Sequence, residues 1–479
     1  MLSFYSEKNY HELLCSGHTT CGEAVSFYLQ KIKKNAYLNV FLEIFEEEAL
    51  QRAYQLDDER KANGIQGKLH GVVVGIKDVI CCKGYKVSAS SKVLENFTAA
   101  YNATAVEKLL QEGAIIIGRQ NCDEFAMGGS NENSAFGNVL NAADNTRVPG
   151  GSSGGSAVSV QAGLCMLSLG SDTGGSVRQP ADFCGIIGLK PTYGRVSRHG
   201  LIAYASSFDQ IGIFGNTIED VALCLEVIAG PDEFDSTVYD EPAEKYSELI
   251  SQSFPQKKYK IAYFRETLEH PRLNKEIRSA IYHYIDILKN DGHTVDLVEF
   301  DLLDYIVPAY YILTTAEASS NLSRYDGIRY GNAAAGDNLK LDKLYKKNRS
   351  SNFGQEVKRR IMLGSFVLSE GYYDAYFTKA QQVRKILVEK TRQIFSEYDA
   401  IISPVSPTTA FKIGEIKDPV EMYLADIYTV FANLTGIPAI SFPLFIHKNG
   451  MPFGIQAMVS RFNELSLLRI AKQLIALKP

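Results

Sequence analysis

Two serines in glycine-rich loops are the first residues in this sequence that could do chemistry. Ser152 lies in GGSSGGS, and Ser176 lies in DTGGSVRQP, 24 residues further along the chain. Glycine allows tight turns and close backbone approach, and it leaves backbone N–H groups accessible. A hydroxyl beside a row of such N–H groups is suited to attack a carbonyl and to stabilise the resulting oxyanion. The pattern therefore predicts a serine nucleophile, although glycine–serine strings also occur in linkers and phosphate-binding loops.

The sequence around these serines argues against both alternatives. Apolar residues flank the segment, so it is not a solvated linker. It lacks the Lys-Ser/Thr ending of a phosphate-binding loop. A G-x-S-x-G hydrolase elbow fits no better, because no downstream acid and histidine stand in a recognisable context. The serines are therefore interpreted as parts of a different catalytic unit.

A lysine that follows a predicted buried strand is the candidate base. Residues 72–76 form the apolar run VVVGI, and Lys77 comes directly after it. A lysine in this position commonly extends to solvent. If it were desolvated instead, its pKa would fall and its neutral amine could accept a proton. No histidine is well placed as an alternative base, and a relay from serine to serine to lysine is compatible with these residues.

Composition and charge are typical of a soluble globular protein. The chain has 479 residues, of which 45% are hydrophobic, and its net charge of −5 argues against a broadly basic surface for nucleic acid. No apolar run reaches ~18 residues and the start lacks a signal-peptide pattern, so we expect a cytoplasmic protein without membrane contact. Scattered cysteines in apolar runs favour reduced, buried thiols. Histidines and cysteines show no metal-ligand spacing, so we expect no metal site.

Alternating strand and helix patterns predict an α/β fold. Repeated β-α-β units indicate a large, mixed, mostly parallel central sheet covered by helices on both faces. We predict a single domain over 1–479, with a helical N-terminal region at 1–65, a core at 66–230, and the rest of the sheet with helical insertions at 231–479. The polar, lysine-rich segment 332–352 is predicted to be a solvated loop, and a contact with RNA or a partner is left open.

Hydrophobic periodicity gives the positions of individual elements. The predicted strands are 72–76, 114–118, 166–169, 260–264, 294–300, 400–405 and 439–444. The predicted helices are 23–32, 46–60, 104–112, 157–163, 217–229, 274–289 and 464–476, together with long helices over 355–395 that are broken near Gly371.

Together these motifs resemble the amidase signature family, which uses a Ser–cis-Ser–Lys triad. GGSSGGS followed by DTGGSVRQPADFCGIIGLKPTYGRVS is a long and specific match. The resemblance implies that Ser176 is the nucleophile that forms the acyl intermediate. It implies that Ser152 is a bridging serine on a cis Gly151–Ser152 bond, and that Lys77 is the base. It also implies the family's fold for the whole chain.

The same resemblance implies where the substrate amide lies. The oxyanion hole would be formed by the backbone N–H groups of Thr173, Gly174, Gly175 and Ser176. The loop NCDEFAMGGSNENSAFG at 121–137 would border the pocket, with Gly128, Gly129 and Ser130 near the amide. An ordinary connection is the alternative for this loop, although binding residues favour loops on a rigid scaffold.

Within that family, the C-terminal half resembles the glutaminase subunits of tRNA-dependent amidotransferases. The matching strings are AEASSNLSRYDGIRYG, EVKRRIMLGSFVLSEGYYDAYFTKAQQVR and MYLADIYTVFANLTGIPAISFP. The resemblance implies that Tyr310, Arg360 and Asp426 hold free glutamine. The doublets Tyr310-Tyr311 and Arg359-Arg360 leave a one-residue choice open. An arginine fork suits the α-carboxylate of glutamine, and an aspartate suits its α-ammonium group.

The resemblance therefore implies that the chain hydrolyses glutamine and supplies ammonia within a heterotrimer. Partner subunits B and C would complete the complex, which would reach aminoacyl-tRNA and amidate Glu-tRNA(Gln), with Asp-tRNA(Asn) left open. The chain has no Walker A string, so we expect no cofactor in this chain, whereas ATP and Mg²⁺ are expected in a partner subunit. A stand-alone amidase for small aliphatic or aryl amides is the alternative. A scaffold without turnover is a third possibility, which the intact Lys77, Ser152 and Ser176 disfavour.

Overall fold

A sheet of 11 strands runs through the computed structural model of the chain, which describes residues 4, 6–252, 257–329, 332 and 340–479. The strands are β1 (Phe41–Ile44), β2 (Val73–Lys77), β3 (Ile115–Gln120), β4 (Leu167–Ser171), β5 (Ile187–Lys190), β6 (Ile211–Gly215), β7 (Lys260–Phe264), β8 (Thr294–Val298), β9 (Ala400–Pro404), β10 (Ala439–Ile446) and β11 (Pro452–Met458). Their order across the sheet is β1-β3-β2-β4-β6-β5-β10-β11-β9-β7-β8.

Helices connect the strands and pack against the sheet. Within the described residues the α-helices are α1 (Glu7–Cys15), α2 (Cys21–Lys34), α3 (Glu46–Asn63), α4 (Thr104–Gln111), α5 (Gly154–Gln161), α6 (Arg178–Cys184), α7 (Ile218–Ile228), α8 (Tyr246–Ser251), α9 (Arg265–Glu269), α10 (Lys275–Asn290), α11 (Leu303–Asn321), α12 (Leu341–Asn352), α13 (Gln355–Val367), α14 (Lys379–Glu397), α15 (Pro419–Leu424), α16 (Val430–Thr435) and α17 (Glu464–Ala476). None of these helices combines the length and the apolar character that crossing a bilayer requires.

The periodic elements lie where the sequence predicts them. All seven predicted strands are present with ends shifted by at most two residues, and α17 matches its predicted bounds. Side-chain caps explain several helix starts. The Thr217 hydroxyl accepts a hydrogen bond from the N–H of Asp220 at the start of α7, and the Asn274 side chain caps α10 in the same way. The long helical region is broken around Gly371, between α13 and α14.

The large mixed sheet is confirmed, but the expectation that it is mostly parallel is wrong. Six of the ten strand pairings are antiparallel and four are parallel. The parallel pairings form two groups, β3-β2-β4 and β9-β7-β8, which correspond to the β-α-β patterns in the sequence. Antiparallel strands join these groups, and every antiparallel pairing involves β1, β5, β6 or β11. The sequence patterns did not indicate these four strands, since they are short or contain glycine, which weakens a strand pattern.

The segment 332–352 also differs from its prediction. Residues 341–352 form helix α12 instead of a solvated loop, and residues 333–339 lie outside the described residues. The buried Asn348 donates a hydrogen bond to the Asp326 carbonyl at 2.9 Å, and Arg349 donates to the Leu322 carbonyl at 2.8 Å. These contacts hold α12 against the preceding chain. Its leucine and lysine residues are good helix formers, so a polar composition did not exclude a helix.

The strands nearest the candidate site are buried along their whole length. Every residue of β2, β3 and β4 is buried, as expected for strands covered on both faces. All eight cysteines are free thiols, and all except Cys15 are buried, in agreement with the prediction from their apolar surroundings. The strands next to the candidate site therefore lie in the interior of the protein rather than at its surface.

Candidate active site

Lys77 is the last residue of β2, and its side chain lies in the interior of the protein. It is 0% exposed, which excludes the alternative of a lysine that extends to solvent. Its Nζ lies 2.7 Å from Ser152 Oγ, 2.8 Å from Ser153 Oγ and 2.9 Å from Ser171 Oγ. Among the described residues, no carboxylate lies within ion-pair distance of Nζ. The Lys77 amine is therefore surrounded by hydroxyls, which can form hydrogen bonds with either its neutral or its protonated form.

Burial shifts the protonation of this lysine toward neutrality. Desolvation lowers the pKa of Lys77 to about 8, against a smaller opposing effect of nearby acidic groups, which include Cys122, Asp123 and Asp172. A lysine with this pKa has a substantial neutral fraction near physiological pH. It can accept a proton from a neighbouring hydroxyl, as a general base must.

Ser152 lies in the loop before α5, and its peptide bond to Gly151 is cis. The Ser152 carbonyl accepts a hydrogen bond from the N–H of Asp123 at 3.0 Å, and the N–H of Gly151 donates to Gln179 Oε1 at 3.0 Å. A Cβ atom at position 151 would lie 2.1 Å from Asp123 Oδ2, so only glycine fits there. The glycines of GGSSGGS thus permit the close backbone packing that brings Ser152 to Lys77.

Residues 172–176 form a loop that we call the oxyanion loop, and the buried Asp172 carboxylate organises it. Asp172 accepts hydrogen bonds from the N–H groups of Gly175 at 2.8 Å and Val177 at 3.2 Å. The Arg178 guanidinium pairs with the same carboxylate at 3.1 Å, and neither side chain is exposed. Burial alone would raise the pKa of Asp172, but the charge and hydrogen bonds of Arg178, the charge of Lys190 and a hydrogen bond from Asn433 together lower the pKa to about 2. The carboxylate therefore stays ionised and holds the loop.

The C-terminal part of the chain completes this anchor. Arg178 also donates to Gln456 Oε1 and Asn433 Oδ1, both at 2.7 Å, and to the Thr429 carbonyl at 2.9 Å. The Thr429 hydroxyl donates to the Gly174 carbonyl at 2.6 Å. Residues more than 250 positions further along the sequence thus also hold the oxyanion loop in place.

The backbone donors of the oxyanion loop differ in whether another residue already uses them. Among the described residues, no group accepts a hydrogen bond from the N–H of Thr173, Gly174 or Ser176, so these donors are available to an oxyanion. The N–H of Gly175 is not available in the same way, because it donates to Asp172. A Cβ atom at position 174 would lie 2.4 Å from the Tyr310 hydroxyl, which explains why glycine occupies this position.

Ser176 closes the oxyanion loop directly before α6. It is 7% exposed, and its hydroxyl makes no hydrogen bond with another described residue. Lys77 and Ser152 are therefore in hydrogen-bond contact, whereas no hydrogen bond joins Ser152 to Ser176.

The predicted substrate residues lie on α11, on α13 and just before α16. Arg360 is buried and its guanidinium lies 5.2 Å from the centre of the Tyr311 ring, whereas Arg359 is exposed. The Tyr311 hydroxyl donates to Asp426 Oδ2 at 2.6 Å, and Tyr310 contacts the oxyanion loop at Gly174. The structure thus favours Arg360 over Arg359 and gives each tyrosine a separate contact. We call Arg360, Tyr311 and Asp426 the clamp.

Two donor or acceptor sites of the clamp remain open. Arg360 Nε donates to Glu356 Oε1 at 2.8 Å, and Nη1 donates to the Tyr204 hydroxyl at 2.9 Å. Among the described residues, no group accepts a hydrogen bond from Arg360 Nη2 and none donates to Asp426 Oδ1. Burial raises the pKa of Asp426 to about 6, so its carboxylate is ionised at neutral pH. The clamp thus offers an ionised guanidinium, from Arg360, and an ionised carboxylate, from Asp426, to a ligand.

Sequence reasoning missed several residues that support the clamp. Glu356 precedes Arg360 by four positions on α13, a spacing that predicts an ion pair on one helix face and could have been recognised. Tyr423 donates from its hydroxyl to the same Glu356 oxygen at 2.7 Å, and Tyr204 lies on a distant turn. No local sequence signal indicates either tyrosine.

The loop at 121–137 borders a cavity of about 250 Å³ beside these residues. Gly128 and Ser130 line it together with Arg360, whereas Ser176 and Asp426 are not among its lining residues. The Gln179 side chain ties this loop to α6 by donating to the Gly129 carbonyl at 2.9 Å. The cavity therefore adjoins the clamp and gives a small polar molecule access to it.

Within the described ranges, no group of His, Cys, Asp and Glu side chains is arranged to hold a metal ion.

Comparison with known proteins agrees with this geometry. Residues 23–468 match the family model described as Amidase. The chain is 48% identical to the A subunit of glutamyl-tRNA(Gln) amidotransferase from Chlorobium phaeobacteroides, over 98% of both chains, and 48% identical to that from Koribacter versatilis, over 95% of this chain and 94% of the relative. The solved structure of the Thermotoga maritima counterpart superposes with a TM-score of 0.76 at 38% identity, covering 94% of this chain and 90% of that one. The chain therefore belongs to the amidase signature family, in the group formed by the A subunits of glutamyl-tRNA(Gln) amidotransferases.

Proposed function

We propose that this chain is the glutaminase subunit of a tRNA-dependent amidotransferase. The observation that carries this proposal is the clamp, which presents Arg360 Nη2 and Asp426 Oδ1 beside the oxyanion loop. Free glutamine has an α-carboxylate and an α-ammonium group, and these two groups match the guanidinium and the carboxylate. Its side-chain amide would then extend toward Ser176.

In the proposed reaction, Lys77 accepts a proton through Ser152 from the Ser176 hydroxyl. Ser176 Oγ attacks the amide carbon of glutamine, and the tetrahedral oxyanion accepts hydrogen bonds from the N–H groups of Thr173, Gly174 and Ser176. The proton returns to the amide nitrogen, the C–N bond breaks and ammonia leaves. Water then attacks the acyl ester on Ser176, which releases glutamate and restores the hydroxyl.

Ammonia would be used in a partner subunit. The names of the relatives support a complex that acts on Glu-tRNA(Gln), and we extend that assignment to this chain together with partner subunits B and C. ATP and Mg²⁺ act in the partner that activates the aminoacyl-tRNA, since the sequence has no Walker A string. Whether Asp-tRNA(Asn) is also served is left to experiment.

The stand-alone amidase is the weaker candidate. An enzyme for simple aliphatic or aryl amides has no use for paired charges beside its oxyanion loop, because its substrates carry no α-carboxylate or α-ammonium group. A scaffold without turnover is disfavoured by the contact between Lys77 Nζ and Ser152 Oγ at 2.7 Å.

The test uses the assembled complex with the Ser176→Ala variant. Glutamine-dependent amidation of Glu-tRNA(Gln) should be lost, whereas amidation with added ammonia should continue, because only the ammonia source is removed. Ser279→Ala changes an exposed serine on α10 and serves as the control, which should keep both activities. Glutamine-dependent transfer that survives in Ser176→Ala would refute the assignment.

A further inference from the structure

A turn at residues 204–209 lies between the oxyanion loop and the clamp. It belongs to no helix or strand, yet Tyr204, Phe208 and Asp209 are each at most 3% exposed. Connecting segments usually run over the surface, because buried backbone groups need hydrogen-bond partners. The hydrogen-bond partners of this turn therefore show which parts of the protein it holds in place.

Asp209 connects the turn to the oxyanion loop. The Thr173 hydroxyl donates to Asp209 Oδ1 at 2.7 Å, and the N–H groups of Tyr204 and Ala205 each donate to Oδ2 at 3.0 Å. The next residue in the chain, Gln210, accepts a hydrogen bond from the N–H of Asp172 at 2.8 Å. Two adjacent residues thus fix the position of the oxyanion loop from the turn.

Tyr204 connects the same turn to the clamp. Its hydroxyl accepts a hydrogen bond from Arg360 Nη1 at 2.9 Å and donates to Thr314 Oγ1 on α11 at 3.0 Å. Among the described residues, Tyr204 and Glu356 are the two groups that accept hydrogen bonds from this guanidinium, which leaves Nη2 as the open donor. A displacement of the Tyr204 ring would rotate the Arg360 guanidinium away from a bound carboxylate.

We propose that Tyr204 and Asp209 are positioning residues on one buried turn, Tyr204 for recognition of the substrate carboxylate and Asp209 for the geometry of the oxyanion hole. A continuous series of hydrogen bonds joins Arg360, Tyr204, Asp209 and Thr173 through one buried turn. Neither positioning residue contacts the reacting atoms. This inference rests on the proposed hydrolysis of glutamine, and it adds that one rigid turn sets both the specificity and the rate.

Two substitutions in the assembled complex should separate these effects. Tyr204→Phe removes one partner of the charged guanidinium, so the KM for glutamine should rise about tenfold while kcat stays within about threefold. Asp209→Asn replaces acceptor capacity with a donor, so the oxyanion loop loses support. Its kcat should fall about 30-fold with KM within about threefold. A merely structural role would impair kcat and KM together in each variant, or would only lower the unfolding temperature.

The control is Tyr193→Phe. The Tyr193 hydroxyl donates to the Ser206 carbonyl of the same turn at 3.0 Å, but it touches neither Arg360 nor Thr173. Its kcat and KM should stay within about twofold of the parent values. Thr173→Val removes the hydroxyl that donates to Asp209 and keeps the backbone N–H of residue 173. Its loss in kcat should match that of Asp209→Asn, and the two losses should not add in the double variant.

Butyramide, which has no α-carboxylate, separates this inference from the proposed function. A parent complex that hydrolyses butyramide but not glutamine rejects the proposed function, while the effects of Asp209→Asn and Thr173→Val remain measurable on butyramide. If Asp209→Asn does not fold, Thr173→Val decides, and an unchanged kcat overturns the inference. A KM of Tyr204→Phe for glutamine within about twofold of the parent, or fully additive losses in the double variant, also overturns it.

Discussion

The protonation of Lys77 leads to a quantitative prediction for the rate of glutamine hydrolysis. Desolvation lowers the pKa of Lys77 to about 8. At pH 7, a lysine with that pKa is neutral in about one tenth of the molecules, against about 0.03% for a lysine of ordinary pKa. Burial thus increases the available base by about 300-fold, which corresponds to about 3.4 kcal/mol.

In the proposed mechanism the neutral amine of Lys77 is the active form, so rising pH should increase the rate. The kcat for glutamine should rise about tenfold for each pH unit well below pH 8 and level off above it. The assay is ammonia release by the assembled complex at constant ionic strength from about pH 6 to pH 9.5, with circular dichroism as a check on folding. Lys77→Arg keeps the positive charge throughout this range and should lose at least about 100-fold in kcat.

Two results would refute this reasoning. One is a kcat that stays constant or decreases between about pH 6.5 and pH 8, since Lys77 would then not be titrating as a base. The other is a Lys77→Arg variant that keeps more than about one tenth of the parent kcat, since an arginine cannot accept a proton in this range.

Two further predictions concern the anchor and the clamp. Asp172→Asn leaves the buried Arg178 without its ionised partner and should lower the free energy of unfolding by about 3–5 kcal/mol, measured by urea denaturation; an unchanged midpoint would contradict the anchoring role. Asp426→Asn removes the carboxylate that faces the α-ammonium group, so the KM for glutamine should rise about tenfold with little change for butyramide. The pKa of Asp426 is raised to about 6, so the parent KM should also rise as pH falls below 6 and the carboxylate is protonated; equal KM changes for both amides would argue against the clamp.

Strongly periodic elements of the fold could be predicted from the sequence, and the pairing of the sheet could not. Apolar runs such as 72–76 and 260–264 give β2 and β7 almost residue for residue. The strands β5 and β6 contain glycine and are only four and five residues long, so they give little local signal. Their positions depend on partners distant in the chain, and these partners make the centre of the sheet antiparallel.

The candidate site likewise contains some contacts that could be predicted from the sequence and others that could not. Lys77 and Ser152 could be paired because their motifs resemble those of the amidase signature family, and the structure places them in contact. The engagement of the Gly175 N–H by Asp172 could not be foreseen, since it depends on the detailed turn of the oxyanion loop. Tyr204 gives no sequence signal either, because its role depends on an arginine 156 positions away.

The anchor of the oxyanion loop also has a consequence for how the protein matures. The contacts of Arg178 with Thr429 and Gln456 span 251 and 278 residues, so the loop is not locked until α16 and β11 have left the ribosome. Contacts of such long sequence separation form late, because chain closure must come first. Lys77, Ser152 and Ser176 are thus synthesised hundreds of residues before they can work together. A nascent chain, or one truncated before Gln456, is therefore expected to show no amide hydrolysis.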